Sequence, residues 1–116
     1  MNFANKRILV LEDEPIIGMA LEDMLIERGA EALLAATLAE AEALLRQQQP
    51  DAAILDVNVH GIESYPLARQ LRLAGVPIVF ATGYGAQLHP FEFRDVPTVR
   101  KPYTMSEIEA ALAPPA

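Results

Sequence analysis

The chain has no cysteine and no tryptophan, and only two of its 116 residues are lysine, Lys6 and Lys101. Without cysteine, disulfides, zinc thiolate sites and thiol nucleophiles are all excluded. A net charge of −7 with so little lysine makes nucleic acid and an anionic membrane poor partners. No stretch approaches the ~18 apolar residues of a membrane span. The N-terminal apolar run stops at Leu11 against Glu12, Asp13 and Glu14, too short for a secretory leader. These absences predict a cytoplasmic protein. The closing "LAPPA" carries no linker beyond it, so no output domain is expected.

What is present reads as one globular domain over 1–116, with 52% hydrophobic and 22% charged residues. Five apolar runs alternate with helical patterns. "RILVL" (7–11) predicts a strand buried on both faces. Pro15 then opens a helix whose apolar stripe is Ile16, Ile17, Ala20, Leu21 and Met24, closed by Gly29. "EALLAA" (31–36) is the least strand-like run, assigned because "TLAE" (37–40) is a capping box opening the next helix. "DAAILD" (51–56) is the third strand, and "SYPLARQLRLAG" (64–75) a helix with Ser64 as N-cap. "VPIVFA" (76–81) and "PTVRK" (97–101) are the last strands, with a second capping box, Thr104 to Glu107, starting a final helix over 104–112. Between them, 83–96 is broken by Gly83, Gly85 and Pro90 and predicts a short or irregular fourth helix. Such alternation argues a doubly wound α/β fold around a parallel sheet.

In that architecture ligands sit beyond the carboxyl ends of the strands. Strand one delivers Glu12 and Asp13 there, strand three ends in Asp56, strand four leads to Thr82, and strand five to Lys101. Clustered carboxylates hold a proton or bind a cation. Mg²⁺, which takes hard oxygen ligands and retains waters, is the ion expected, on Asp13, Asp56 and the backbone carbonyl of Asn58. An aspartate beside such an ion can attack a phosphoryl group, leaving Thr82 and Lys101 to meet the new oxygens. Taken singly, each residue has a plainer explanation: acids before a helix favour its dipole, and Asp56 can close an Asx turn. Their convergence at four strand ends outweighs those. His60 and His89 share no metal-ligand spacing and are expected to be solvated loop residues.

"RILVLEDEP", "AAILDVNVHG", "VPIVFATGYG" and "VRKPYT" resemble, in order and spacing, the receiver domain of two-component response regulators. The resemblance covers essentially the whole chain. It implies a flavodoxin-like five-stranded sheet in the order 2-1-3-4-5 and phosphorylation of Asp56 by a histidine kinase or phosphotransfer protein. It makes Glu12 and Asp13 the acidic pair, with Glu12 acting through a metal-bound water, Thr82 the switch hydroxyl and Lys101 the phosphoryl-pairing lysine, with a cis bond to Pro102. It further implies self-catalysed phosphorylation and dephosphorylation without turnover of an external substrate, and dimerisation on phosphorylation as an option. "FATGY" (80–84) is similar to the single-domain subgroup called FAT GUY regulators, which fits a stand-alone switch or phosphate shuttle.

Two departures matter: the acidic pair is often Asp-Asp, whereas its first member here is Glu12, and the second departure is larger. Three residues before the lysine, receivers usually carry an aromatic that moves with the switch hydroxyl; here Thr98 stands there. Tyr84, or Phe91 with Phe93, is then the candidate replacement, and Asn58 and Tyr84 the candidates for setting phosphoryl lifetime. Two other functions compete. A Mg²⁺-dependent phosphohydrolase with an aspartyl-phosphate intermediate would want an acid two residues after its nucleophile, where this chain has Asn58. A phosphate-independent binding module would not need the full set of chemical residues.

Overall fold

The computed structural model describes residues 2–83 and 89–112. Its main sheet has five parallel strands: β1 (Arg7–Leu11), β2 (Glu31–Ala35), β3 (Ala52–Asp56), β6 (Ile78–Thr82) and β7 (Thr98–Arg100). Their spatial order is β2-β1-β3-β6-β7. Counting only these five, that is the expected 2-1-3-4-5 order. Two further strands, β4 (Asn58–Val59) and β5 (Ile62–Glu63), form a small antiparallel hairpin.

Alternation along each strand splits the core in two. Leu9, Leu11, Leu55, Ile78 and Phe80 join one cluster with Leu67 and Leu71 of helix α3 (Tyr65–Leu73) and, at its margin, Leu38, Leu44 and Leu45 of α2 (Leu38–Gln47). Ile8, Val10, Ile54 and Val79 join the other with Leu21 and Leu25 of α1 (Pro15–Glu27) and Met105 and Ile108 of α4 (Met105–Ala111). Helices thus cover both faces, as the near-continuous apolar strands require. The two capping signals work, with one difference. Thr104 and Glu107 cap reciprocally, whereas Thr37 accepts the Glu40 N–H while the Glu40 carboxylate accepts from Ala36 N–H, one residue further back.

Three expectations need correction. The expected stripe of α1, Ile16, Ile17, Ala20, Leu21 and Met24, is only partly its buried face: Leu21 is buried and Met24 packs partly against the core. The inward line is Gly18, Leu21 and Leu25, while Ile16 is 86% exposed. The helix settles along that line because Gly18 lets it approach β2: a Cβ there would lie 3.2 Å from Leu34 Cδ1. Ser64 precedes α3, but its side chain makes no cap hydrogen bond and its buried hydroxyl has no partner. The third correction concerns 58–63, where no strand was expected. "NVHGIE" folds into the hairpin because His60 and Gly61 both take positive φ (52° and 81°), the geometry of a two-residue turn between antiparallel strands.

Within 83–96, the described residues hold one 3₁₀ turn, Phe91–Phe93, in line with the irregular fourth helix expected. Ion pairs tie it to α3: Arg69 to Glu92, and Arg72 to Asp95 at 3.1 Å. Phe93 is buried against the same cluster.

The two faces of α1 separate in stability measurements. Leu21→Ala is expected to lower the unfolding free energy by about 2–5 kcal/mol. Ile16→Ala should change it by no more than about 0.5 kcal/mol. Urea titration of both variants checks the assignment; comparable losses would contradict it.

Candidate functional site

The strand register fixes which carboxyl ends meet. Leu11 pairs with Leu55 and Asp56 with Ala81, so the residues following β1 lie beside the end of β3 and the end of β6. Thr82 pairs with Arg100, which brings Lys101 over the same edge. Lys101 N–H donates to the Thr82 carbonyl at 2.8 Å, and the Lys101–Pro102 bond is cis.

Side chains close the cluster. The Lys101 ammonium lies 2.6 Å from Glu12 Oε1 and 3.0 Å from Asp56 Oδ2. Carboxylate oxygens of Glu12, Asp13 and Asp56 all lie within 4.8 Å of one another. Glu12, Asp56 and Thr82 are buried, and Asp13 keeps partial access to solvent. The Glu12 carboxylate also accepts the Glu14 N–H at 3.1 Å.

The hairpin brackets these acids. Asn58 N–H donates to Asp56 Oδ1 at 3.4 Å, and His60 N–H to Asp13 Oδ2 at 3.1 Å. The Asn58 side-chain oxygen accepts the Gly61 N–H at 2.9 Å, closing the turn on itself. The Asx contact of Asp56 is therefore real, and it orients the carboxylate of a clustered site instead of competing with one. The hairpin's contribution was missed in the sequence, where His60–Gly61 was its only signal.

Charge is unbalanced here, with three carboxylates against one ammonium. Burial pushes the Glu12 and Asp56 carboxyls above their ordinary values, with the Lys101 contact working only partly against it. Burial acts on Asp13 in the same sense, yet the His60 N–H and hydrogen bonding with Asp56 and Glu12 hold it below the usual range. For Lys101 burial pulls downward, and the two acids outweigh it and raise the ammonium. Burial, with Glu12 nearby, pushes the Tyr103 hydroxyl up to about 12. Excess buried negative charge with hard oxygen donors suits a small divalent cation, which would sit on the Glu12, Asp13 and Asp56 carboxylates.

Thr98 lies away from the acidic cluster. Thr98 pairs with Phe80, two residues back from Thr82 along the sheet, and its hydroxyl bonds His89 Nε2 at 2.8 Å. Tyr84 lies outside the described residues. His89 is not the solvated residue expected: its Nδ1 lies 2.7 Å from the Tyr65 hydroxyl, and its ring is 4.7 Å from that of Phe80. Burial lowers its pKa. His60 is largely exposed, its ring 4.0 Å from Asp13.

Beside the cluster opens a groove of about 400 Å³ lined by Ile16, Ile17, Ala20 and Met24 of α1 and by Lys101, Pro102 and Tyr103. The exposed stripe of α1 forms one of its walls.

Comparison with known proteins gives a consistent result. The response regulator receiver domain matches over residues 8–113. The solution structure of SdrG from Sphingomonas melonis Fr1 is 39% identical with a TM-score of 0.80, covering 97% of this chain and 96% of that one. A BeF3-activated conformation of SdrG, from Pseudomonas melonis Fr1, is 42% identical with a TM-score of 0.77 over 94% of each chain. The probable transcriptional regulator ycf27 of Porphyra purpurea is 30% identical over 116 residues, covering 97% of this chain and 48% of the relative. The chain thus spans about half the length of the curated relatives it matches first.

The raised carboxyl of Asp56 has a stability consequence. Its neutral form is favoured by folding, so that contribution is complete below the ordinary aspartate value of 3.8 and is lost as pH rises through the raised folded value. Asp56→Asn, neutral at every pH, should therefore melt above the parent chain in metal-free buffer at pH 7. The gap should narrow on acidification. Differential scanning calorimetry across the pH range checks both the sign and the trend.

Proposed function

This chain belongs to the response regulator receiver family, and from that premise we propose that it is a stand-alone phosphoacceptor switch taking a phosphoryl group on Asp56. The observation that carries the reading is the Lys101 ammonium bonded to both Asp56 and Glu12 inside a cluster of three carboxylates.

An Asp56 carboxylate oxygen attacks the phosphorus of a phosphohistidine. The new O–P bond forms as the N–P bond breaks, and the imidazole nitrogen leaves with the electron pair. Lys101, already 3.0 Å from Asp56, pairs with the incoming phosphoryl oxygens. Thr82, at the end of the neighbouring strand, supplies the hydroxyl. A bound Mg²⁺ would supply charge neutralisation between the carboxylates and the phosphoryl oxygens. Hydrolysis reverses the arrangement, with a water oxygen attacking phosphorus and the Asp56 carboxylate departing. Asn58 and Tyr84 are proposed to set how long the phosphoryl survives.

The donor is a histidine kinase or phosphotransfer protein. The apolar groove between α1 and Tyr103, opening beside Lys101, suits an amphipathic helix presenting a histidine to Asp56. The stand-alone reading and the FAT GUY assignment draw support from the "FATGY" run. A cytoplasmic setting follows from the kinase partner; no helix among the described residues is long and apolar enough to cross a membrane. A phosphohydrolase is disfavoured because Asn58, where an acid would serve, has its side-chain oxygen engaged by Gly61.

Intact mass after incubation with acetyl phosphate and Mg²⁺ tests the proposal. The parent should gain one phosphoryl group, and Asp56→Asn or a metal-free control should gain none. Uptake by Asp56→Asn would assign the chemistry to another residue. The hairpin gives a second, independent check. An added methyl at Gly61 meets nothing within 4 Å, but its φ of +81° suits only glycine, so Gly61→Ala strains the turn by about 1–2 kcal/mol without a clash. Loosening the His60 N–H on Asp13 should weaken Mg²⁺ binding by up to about tenfold, read from chemical-shift titration.

A further inference from the structure

One oxygen of Asp13 meets His60 twice. At the tip of the β4–β5 hairpin the His60 backbone N–H donates to Asp13 Oδ2 at 3.1 Å, and His60 Nδ1 lies 4.0 Å from that same oxygen. The backbone here is fixed. His60 and Gly61 take positive φ, the Asn58 side-chain oxygen accepts the Gly61 N–H, and Asn58 and Val59 pair with Glu63 and Ile62. The ring is not fixed. It is 60% exposed, and no hydrogen bond among the described residues engages either of its nitrogens.

No other imidazole in the chain is in that position. The sequence has no cysteine and two histidines, and both ring nitrogens of His89 are engaged by the Tyr65 and Thr98 hydroxyls. His60 therefore supplies the one imidazole with nitrogens open to a metal. It approaches the acids from solvent, since Glu12 and Asp56 are buried while Asp13 keeps partial access.

Reach is adequate. Two ligand atoms on one small divalent ion stand roughly 3 to 4.3 Å apart, given metal–ligand bonds of about 2.0–2.2 Å. The 4.0 Å between Nδ1 and Asp13 Oδ2 falls inside that span. His60 stands outside the group of three acids whose oxygens lie mutually within 4.8 Å, so it meets an ion through Asp13, at the exposed rim.

We propose that His60 is a specificity-determining ligand of the cation site. Its imidazole closes on an ion held by Asp13 and favours borderline first-row transition ions, of which Zn²⁺ is the representative, beyond what the carboxylates alone provide. The proposal rests on the reading of the strand-end acids as a divalent-cation site. Mg²⁺ takes hard oxygen ligands and gains little from an imidazole, whereas Zn²⁺ binds one well. One side chain at the mouth thus sorts the two kinds of ion while the acids hold either.

Calorimetric titration of the metal-free whole chain with Zn²⁺ and, separately, with Mg²⁺ tests this, beside His60→Asn. Asparagine tolerates the positive φ of the turn, so the backbone N–H stays on Asp13 while the imidazole is lost. The Zn²⁺ affinity of the variant should fall by about tenfold or more, and its Mg²⁺ affinity should stay within about twofold. Two-bond ¹H–¹⁵N spectra of histidine-labelled parent, assigned with the same variant, give a second readout. One His60 ring nitrogen should shift on adding Zn²⁺ and neither on adding Mg²⁺, with His89 unmoved by both. Asp13→Asn should weaken both ions.

Unchanged Zn²⁺ affinity in His60→Asn would overturn the proposal, as would equal losses for both ions or a Zn²⁺ shift carried by His89. Full Zn²⁺ affinity at His60 in Asp13→Asn would make the histidine an isolated surface ligand and overturn it too. If the parent binds neither ion, the cation site itself fails and takes the proposal with it. Mg²⁺ binding that persists beside any of the earlier results sinks the proposal alone.

Discussion

The arrangement hangs on the Lys101 ammonium held between Glu12 and Asp56. Alone it cannot balance the cluster, since Asp13 adds a third carboxylate within the same few ångströms. That deficit is the useful feature. A site neutralised by its own residues would have no electrostatic reason to admit a cation. One left short of positive charge, and partly dehydrated, does. The rest of the structure keeps these groups from separating. Register between β1, β3 and β6 sets the acids side by side, and β7 delivers the lysine with its own N–H fixed to Thr82.

The fold was legible because the strands are buried on both faces and so read as unbroken apolar runs. "RILVL", "AILD" and "IVFA" can hardly be anything else. Strand-end chemistry follows from that reading, since a parallel sheet puts every carboxyl end on one edge. The failure at α1 has a physical source. Apolar residues occur on both of its faces, so periodicity alone could not choose between them. Gly18 decided it by allowing close approach to Leu34. The remaining stripe, Ile16, Ile17, Ala20 and Met24, was left to line the groove beside Lys101. Much of an apolar surplus that looked like core is surface next to the reactive edge, Ile16 above all.

The parts that sequence did not disclose depend on contacts distant along the chain. His60 meets Asp13 across 47 residues, through a backbone N–H that no side-chain pattern encodes. His89 finds Tyr65 across 24 residues. Neither histidine stands in a local motif, and each takes its role from where the sheet carries its neighbours. Ser64 shows the reverse, a residue with a strong local preference for capping whose hydroxyl is buried without a partner. Tertiary packing of α3 overrode the local signal there.

These observations separate two levels of constraint in the molecule. Around Asp56 the groups are set by register and by short hydrogen bonds, and little can move without losing the charge arrangement. On the α3 side, the described residues before β7 hold a single 3₁₀ turn pinned by Arg69 and Arg72. Those pairs are substantially exposed and contribute little each, so Phe93, buried among Tyr65 and Phe80, is the firmer attachment. A surface anchored through one aromatic and a histidine bridge can be rearranged at small cost while the strand ends stay in place.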